Sequence, residues 1–340
     1  MDGYFYLGDD ERRGYCEAAA AKIGLDAPSV EKDFWVCWML REVFALPQTG
    51  PHLTFKGGTS LSKGWKLIER FSEDLDVVIG REFLGFGGEK APETAPSKKQ
   101  RDARLEELRD ACRSYVRGTL ASELRERLTA RLPKDISWTL ENDPGDPDAQ
   151  TLLFSYPSVF SRSRYLSPEV KLEFGARSDT EPHANPEIQS YLAEALPGEF
   201  DQPLFPVRTV APERTFLEKA MLLHEESYSN NPEPRPRMAR HYYDVWCLIQ
   251  AGLGEKAVAA PGLFESVANH RAIFFRKKKE AQESLRPGSL RIVPSDERRA
   301  AWAQDYEAMQ AAMFFRTPPP FEEILRVIGE FELQFNRTER

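Results

Sequence analysis

No apolar run in this chain approaches the ~20 residues that a membrane-spanning helix needs, so the sequence offers no transmembrane segment. The first residues, Met1-Asp2-Gly3-Tyr4-Phe5, lack a basic start followed by an apolar stretch, and no secretory leader is expected there. Cysteine is scarce: Cys16, Cys37, Cys112 and Cys247 lie far apart and form no Cys-x-x-Cys pair. That spacing speaks against zinc ligation and a disulfide framework and predicts free thiols in a reducing cytoplasm. Positive charge is also short, with 46 Lys and Arg against 54 Asp and Glu and a net charge of −8. A protein that coats nucleic acid needs the opposite balance to displace counterions, so any RNA contact must use a local basic patch. Two candidates stand out: Arg235, Arg237, Arg240 and His241, and the run from His270 and Arg271 through Arg276, Lys277, Lys278 and Lys279. Either also reads as a solvated helix face.

What is present suffices for one large domain or two ordinary ones, since 340 residues at 41% hydrophobic and 29% charged can build a real core. There is no internal repeat. Residues 10–46 predict two helices; in the second, Phe34, Trp35, Cys37, Trp38, Leu40 and Val43 recur at three- and four-residue spacing behind a Ser29 N-cap. Residues 53–55 predict a strand running into Gly57-Gly58, residues 59–69 a helix, and residues 74–79 an alternating strand. The stretch 85–98, rich in Gly, Pro and Lys, predicts a mobile loop, and 99–131 a charged helix. Strands are predicted at 136–140 and 151–155, flanking the turn-rich stretch 142–147, and again at 170–174. Beyond Pro212 the pattern is helical, over 212–228, 237–251, 262–282, 295–315 and 320–335. The fold class is therefore expected to be α+β, a small mixed sheet with helices packed around it and a helical C-terminal region.

The chemistry gathers in one block. Carboxylates at positions i and i+2 of a strand point to the same face, and Asp74 and Asp76 have that spacing. Mg²⁺, or Mn²⁺ in its place, takes oxygen ligands and retains waters, so one or two carboxylates plus substrate phosphates suffice. A third carboxylate from a neighbouring strand is expected to join them, and Glu173 is the candidate. A Gly57-Gly58-Thr59-Ser60 turn before a helix offers unhindered backbone N–H groups and a positive dipole end to a triphosphate. The hydroxyls of Thr59 and Ser60, and the Lys63 ammonium, complete the candidate nucleotide-binding set. A Gly-Gly pair or an Asp-Leu-Asp alone is weak; joined by one helix-like segment they predict metal-dependent nucleotidyl transfer, where a positioned divalent ion matters more than covalent chemistry.

The segment from Phe55 to Ile79, FKGGTSLSKGWKLIERFSEDLDVVI, resembles the AbiEii/AbiGii nucleotidyltransferase toxin family, which includes the MenT toxins. The likeness extends to Glu31-Lys32-Asp33-Phe34-Trp35, to Pro212 through Lys219, to Arg240-His241-Tyr242-Tyr243-Asp244, to His270 through Phe275, and to Asp305-Tyr306 with Met313-Phe314-Phe315. It implies a polymerase-β-like nucleotidyltransferase core over residues 1–210, with an insertion at about 81–165, and a helical domain over 211–340. It further implies a type IV toxin, active in phage defence, that takes an NTP, modifies the 3′ end of tRNA and is opposed by an antitoxin. The catalytic set implied is Ser72, Asp74, Lys219 and Asp244, with Asp76 as second member of the acid pair, and Lys219 is implied as a contact to the nucleotide phosphates.

Each of these residues also has a plain structural reading. Lys219 on an amphipathic helix reads as a surface lysine, Asp244 as a buried acid paired with Arg214 or Arg240, and Ser72 as a turn cap. Two other functions remain open: transfer of nucleotides to a protein or to the antitoxin itself, and a binding module whose site is silent.

Overall fold

The alternating and helical patterns take shape in a computed structural model that describes residues 1–161, 167–231, 233–275, 278–286, 288–314 and 316–337. The chain divides into two compact units, Met1–Gly64 with Ser72–Thr209, and Trp65–Phe71 with Val210–Arg340. The fold class is α+β with a mixed sheet, as the patterning predicts.

In the first unit, α1 (Asp9–Ile23) and α2 (Ala27–Phe44) precede β1 (Leu53–Lys56). The N-cap of α2 is Asp26, whose carboxylate accepts from the Ser29 N–H at 3.0 Å, so Ser29 lies inside the helix and does not cap it. Nearly every residue of α2 from Val30 to Val43 is buried, which makes it a core helix rather than a surface one. After β1 come the short α3 (Gly57–Thr59), a π turn (Ser60–Gly64) and β2 (Leu75–Ile79). The helix expected over 59–69 stops at Gly64, because Lys66 adopts φ +53° and the chain leaves the unit.

The charged helix is α4 (Lys98–Tyr115) and α5 (Ala121–Arg131), joined by a π turn at Val116–Leu120. The loop before it, expected to be mobile, is instead tied down. Arg81 pairs with Glu93 at 2.9 Å, and Arg104 donates to the Ala91 carbonyl at 2.7 Å. Next come β3 (Thr139–Asn142), β4 (Thr151–Ser155), β5 (Glu169–Gly175), β6 (His183–Ala184), β7 (Glu187–Ile188), α6 (Tyr191–Ala195), β8 (Phe205–Pro206) and β9 (Thr209–Val210). β3 begins later than residue 136, since Ile136 closes a turn onto the Pro133 carbonyl.

The seven-stranded sheet runs β3-β4-β5-β2-β1-β9-β6. β1 pairs antiparallel with β2, and β2 pairs parallel with β5. Leu53, Phe55, Leu75, Val77 and Ile79 are all buried. The intervening Lys56 and Asp76 stay half-exposed on the opposite face.

The second unit is helical: α7 (Pro212–Ser227), α8 (Arg240–Gln250), α9 (Leu253–Ala259), α10 (Pro261–Phe274), α11 (Lys279–Glu283), α12 (Asp296–Met313) and α13 (Phe321–Arg337). The single helix expected over 262–282 is two, because Phe275 turns extended at φ −122°, ψ 120°. Arg276, Lys277 and Phe315 lie outside the described residues. Phe321, Ile324, Leu325, Ile328, Phe331 and Phe335 line the buried stripe of α13. The segment Trp65–Phe71 is woven into this unit. Trp65 Nε1 donates to the Val210 carbonyl at 3.0 Å, and the Phe71 N–H donates to Met313 at 2.7 Å.

Candidate active site

The acids of the first unit stand where strand alternation puts them. Asp74 and Asp76 flank buried Leu75, are themselves half-buried, and share one face of the sheet. The parallel register sets Glu173 of β5 opposite Asp76, and the antiparallel register sets Lys56 of β1 opposite Asp76 from the other side. Glu173, expected as a third metal ligand, is engaged by a lysine of its own strand. Lys171, two residues earlier on the same strand face, takes the Glu173 carboxylate at 2.7 Å and lies 3.7 Å from Asp143. Burial opposes the charge on Lys171, but the Glu173 hydrogen bond and charge, followed by Asp74, hold its pKa above the ordinary lysine value. Among the described residues no group of three or more His, Cys, Asp or Glu side chains is gathered tightly enough to hold a metal ion. The residues present still fit Mg²⁺ as that ion binds in phosphoryl-transfer sites, through two half-exposed carboxylates with the remaining positions left to substrate phosphates and water.

The turn before these acids is built against them. Gly57 has φ +82°, and a Cβ built on it would overlap the Asp76 carboxylate. Glycine is required there twice, once for the left-handed backbone and once for the close approach. The hydroxyls assigned to the nucleotide are engaged inside the turn. Thr59, 1% exposed, donates to the Asp74 carbonyl at 2.6 Å and stands 2.9 Å from the Ser72 hydroxyl. Ser60, fully buried, donates to the Gly57 carbonyl at 2.8 Å. Thr59 braces the turn against the acid loop and Ser60 closes the turn on itself, while Gly57 and Gly58 stay half-exposed. Lys32 adds a second fastening, an ion pair with Glu73 at 2.5 Å immediately before Asp74.

Lys63, expected in the nucleotide-binding set, is engaged in the interior. Its ammonium is buried, lies 2.8 Å from the Asp33 carboxylate and sits over the Tyr191 ring at 3.3 Å from the centroid. Burial works against its charge, yet the Asp33 carboxylate beside it raises its pKa above the ordinary lysine value. This buried pair anchors α2 to the turn. Glu31 is likewise internal, accepting from Ser158 and from the Val159 N–H at 2.9 Å. Glu31-Lys32-Asp33 is thus a set of three consecutive structural anchors.

In the second unit Lys219 and Asp244 come together, with a partner that sequence reasoning missed. Asp244 is fully buried and receives a bidentate clamp from Arg70, Nε to Oδ1 at 2.7 Å and Nη2 to Oδ2 at 2.8 Å. Lys219 Nζ lies 2.9 Å from the same Oδ2 and 3.4 Å from His241 Nδ1. Neither Arg214 nor Arg240 is the clamp; Arg214 pairs with Glu218 at 3.0 Å. Lys219 is buried, not a surface lysine.

Burial pushes the Asp244 carboxyl up, but Arg70 and then Lys219 outweigh it and hold the group well below the usual carboxylate range. Burial, with Arg70 nearby, lowers the Lys219 pKa despite Asp244. Burial and then Lys219 push His241 far down, so its imidazole is neutral. Two basic groups, Arg70 and Lys219, thus converge on one buried carboxylate. Arg70 stands in the same block as the acid pair, two residues before Ser72, which was the available signal for it.

The other singled-out residues are structural or exposed. His224 is a satisfied core histidine, with Nδ1 accepting from the Arg291 N–H at 2.9 Å. Arg271 is buried on Glu225 at 2.6 Å and drops out of the second basic run, where Lys279 remains exposed. All four cysteines are buried free thiols. No helix among the described residues is long and apolar enough to cross a membrane.

A family model described as nucleotidyl transferase AbiEii toxin, type IV TA system, matches residues 38–327. Among solved structures the chain is similar to MenT4, a nucleotidyltransferase toxin of Mycobacterium tuberculosis H37Rv, at 16% identity over 96% of this chain and 99% of that one, with a TM-score of 0.36. No curated protein matches the sequence.

Proposed function

The chain belongs to the AbiEii family of nucleotidyltransferase toxins of type IV toxin–antitoxin systems, and from that premise we propose that it moves a nucleoside monophosphate from an NTP onto the 3′ end of a tRNA, with Mg²⁺ held by Asp74 and Asp76. The observation that carries this reading is the packing of the Gly57 turn directly against the Asp76 carboxylate. That contact brings the backbone of the glycine turn directly beside one of the two carboxylates that share a strand face.

When bound, the metal supplies charge neutralisation on the transferring phosphoryl group. The protein's own residues position the reactants. Thr59, Ser72 and Lys32 fix the loop from which Asp74 projects. Within the second unit, Arg70 and Lys219 converge on Asp244, and Lys219 is the residue proposed to contact a phosphate. In the transfer, the acceptor hydroxyl gives up its proton to water as its oxygen bonds to the α-phosphorus, the bond to the bridging oxygen of the β-phosphate breaks, and pyrophosphate leaves with that electron pair. A tRNA extended in this way has no free aminoacylation terminus, which blocks translation until the antitoxin intervenes.

The test is incubation of the protein with each labelled NTP and total RNA across a Mg²⁺ and Mn²⁺ series. Metal-dependent label on tRNA supports the reading. Label on protein would move the acceptor to a polypeptide. Label on neither would leave a silent binding module.

A further inference from the structure

Resting on the nucleotidyltransferase reading, we propose that a cavity of about 390 Å³ beside the acid face of the sheet is a nucleoside pocket that seats the terminal base of the acceptor RNA. Its size falls within the range of small-molecule sites. Its floor is Thr54 and Val78, which face each other in the β1–β2 register. Two residues along the same strands, and therefore on the same face, stand Lys56 and Asp76. That step is roughly 7 Å of strand. An RNA end lying at Asp76 thus has the pocket within reach of its last base.

The lining selects a neutral, flat, hydrogen-bonding group. Phe83 and Phe86 supply aromatic surface, with His52 stacked on Phe83 at 4.1 Å between centroids. Both arginines of the wall already hold carboxylates, Arg81 on Glu93 at 2.9 Å and Arg208 on Glu181 at 3.4 Å. Asp179 and Glu82 add two further acids, the first accepting from the Thr180 N–H at 2.8 Å. Four carboxylates outnumber the two guanidiniums, both already paired, so the lining is net negative and repels a phosphate. A nucleobase and its ribose meet acceptors for N–H and hydroxyl protons together with a ring to stack on. Lys56 sharpens the choice. Its ammonium donates to the Ser178 hydroxyl at 2.7 Å, at the pocket wall, while its backbone lies opposite Asp76. A cation there suits the phosphate that follows a seated nucleoside and disfavours the approach of a basic peptide.

The experiment uses the full chain and free nucleosides, followed by saturation-transfer NMR. A mixture of the four non-hydrolysable triphosphates keeps the donor site filled. Ala91→Trp fills the pocket from its rim, and Phe86→Ala removes an aromatic wall without filling it; thermal melts of both report folding. The expected result is saturation transfer to base protons of at least one nucleoside in the wild type, abolished in Ala91→Trp and weakened several-fold in Phe86→Ala. In labelling assays Ala91→Trp should raise the RNA concentration for half-maximal transfer roughly tenfold or more, the worth of one stacked base, with NTP affinity unchanged. No nucleoside signal in the wild type overturns the proposal. So does a signal that survives in both variants, or binding of a lysine amide that Ala91→Trp abolishes in place of nucleoside binding. Loss of nucleoside binding in a protein whose wild type labels no RNA would sustain the pocket and overturn the acceptor reading instead.

Discussion

Replacing Arg70 by methionine probes the buried charge network of the second unit most directly. Methionine keeps an unbranched apolar stem but removes two charge-assisted hydrogen bonds, of 2.7 and 2.8 Å, from a fully buried carboxylate. Removing one partner of a buried pair costs about 3–5 kcal/mol, because the other charge is left uncompensated. Lys219, 2.9 Å from the same carboxylate, retains part of the compensation, which places the expected loss near the lower bound. A loss of about 3 kcal/mol corresponds to roughly 10 °C for a unit of this size. The pH dependence follows from the sign of the shift. The Asp244 carboxyl is depressed in the folded protein, by Arg70 and Lys219 against the opposing effect of burial. Its stabilisation is therefore fully present above the unfolded carboxylate value of ~3.9 and lost as the pH falls through the folded value. The gap between parent and Arg70→Met should be widest near neutrality and close on acidification. Urea unfolding at a series of pH values measures it, with Asp244→Asn and the double variant closing a thermodynamic cycle. Equal stability of Arg70→Met and parent at neutral pH, or a deficit that does not shrink in acid, would refute the reasoning.

Other outcomes follow from the same geometry. Asp74→Asn and Asp76→Asn should each abolish metal-dependent NTP labelling while leaving the melt within about 0.5 kcal/mol of the parent, since both side chains are half-exposed; full labelling in either would remove it from the site. Gly57→Ala should lose both activity and stability, the latter by about 1–2 kcal/mol from the left-handed backbone alone, and normal urea stability would show that the turn can relax. Lys63→Met should destabilise the first unit by about 3–5 kcal/mol through the orphaned Asp33, while calorimetry on the folded fraction finds NTP affinity unchanged; weakened NTP binding would return Lys63 to the nucleotide site. Lys278→Glu with Lys279→Glu should weaken binding of all tRNAs alike and flatten the salt dependence by about 0.7–0.9 log units for each phosphate that is no longer neutralised, and an identical slope by filter retention would make that run a solvated face.

Much of the fold is legible in residues close together in the chain. The alternation of Asp74 to Ile79 and of residues 169–175 marks two strands, because the pleat sends successive side chains to opposite faces. The 3.6-residue stripe of Phe321 to Phe335 marks the last helix for the corresponding reason. The Gly57-Gly58 turn is legible because the left-handed backbone at Gly57 favours glycine. The helix expected to run to residue 69 was not, since nothing local tells that Lys66 reverses its backbone and that Phe71 finds a hydrogen-bond partner at Met313.

The sequence by itself determined the α+β class, the family, the shared face of Asp74 and Asp76, and the glycine turn before them. Each follows from local backbone geometry, or from a pattern carried by contiguous residues. Only the tertiary structure decided which charges are free to act. Lys63, Thr59 and Ser60, expected as nucleotide ligands, are buried and engaged within the protein, and Arg70, which the sequence does not single out, clamps Asp244. The reason is physical: a buried charge must find an opposite charge, and the partner is chosen by which side chains the packing brings within ~4 Å. Arg70 and Asp244 are 174 positions apart, and no local pattern records that meeting.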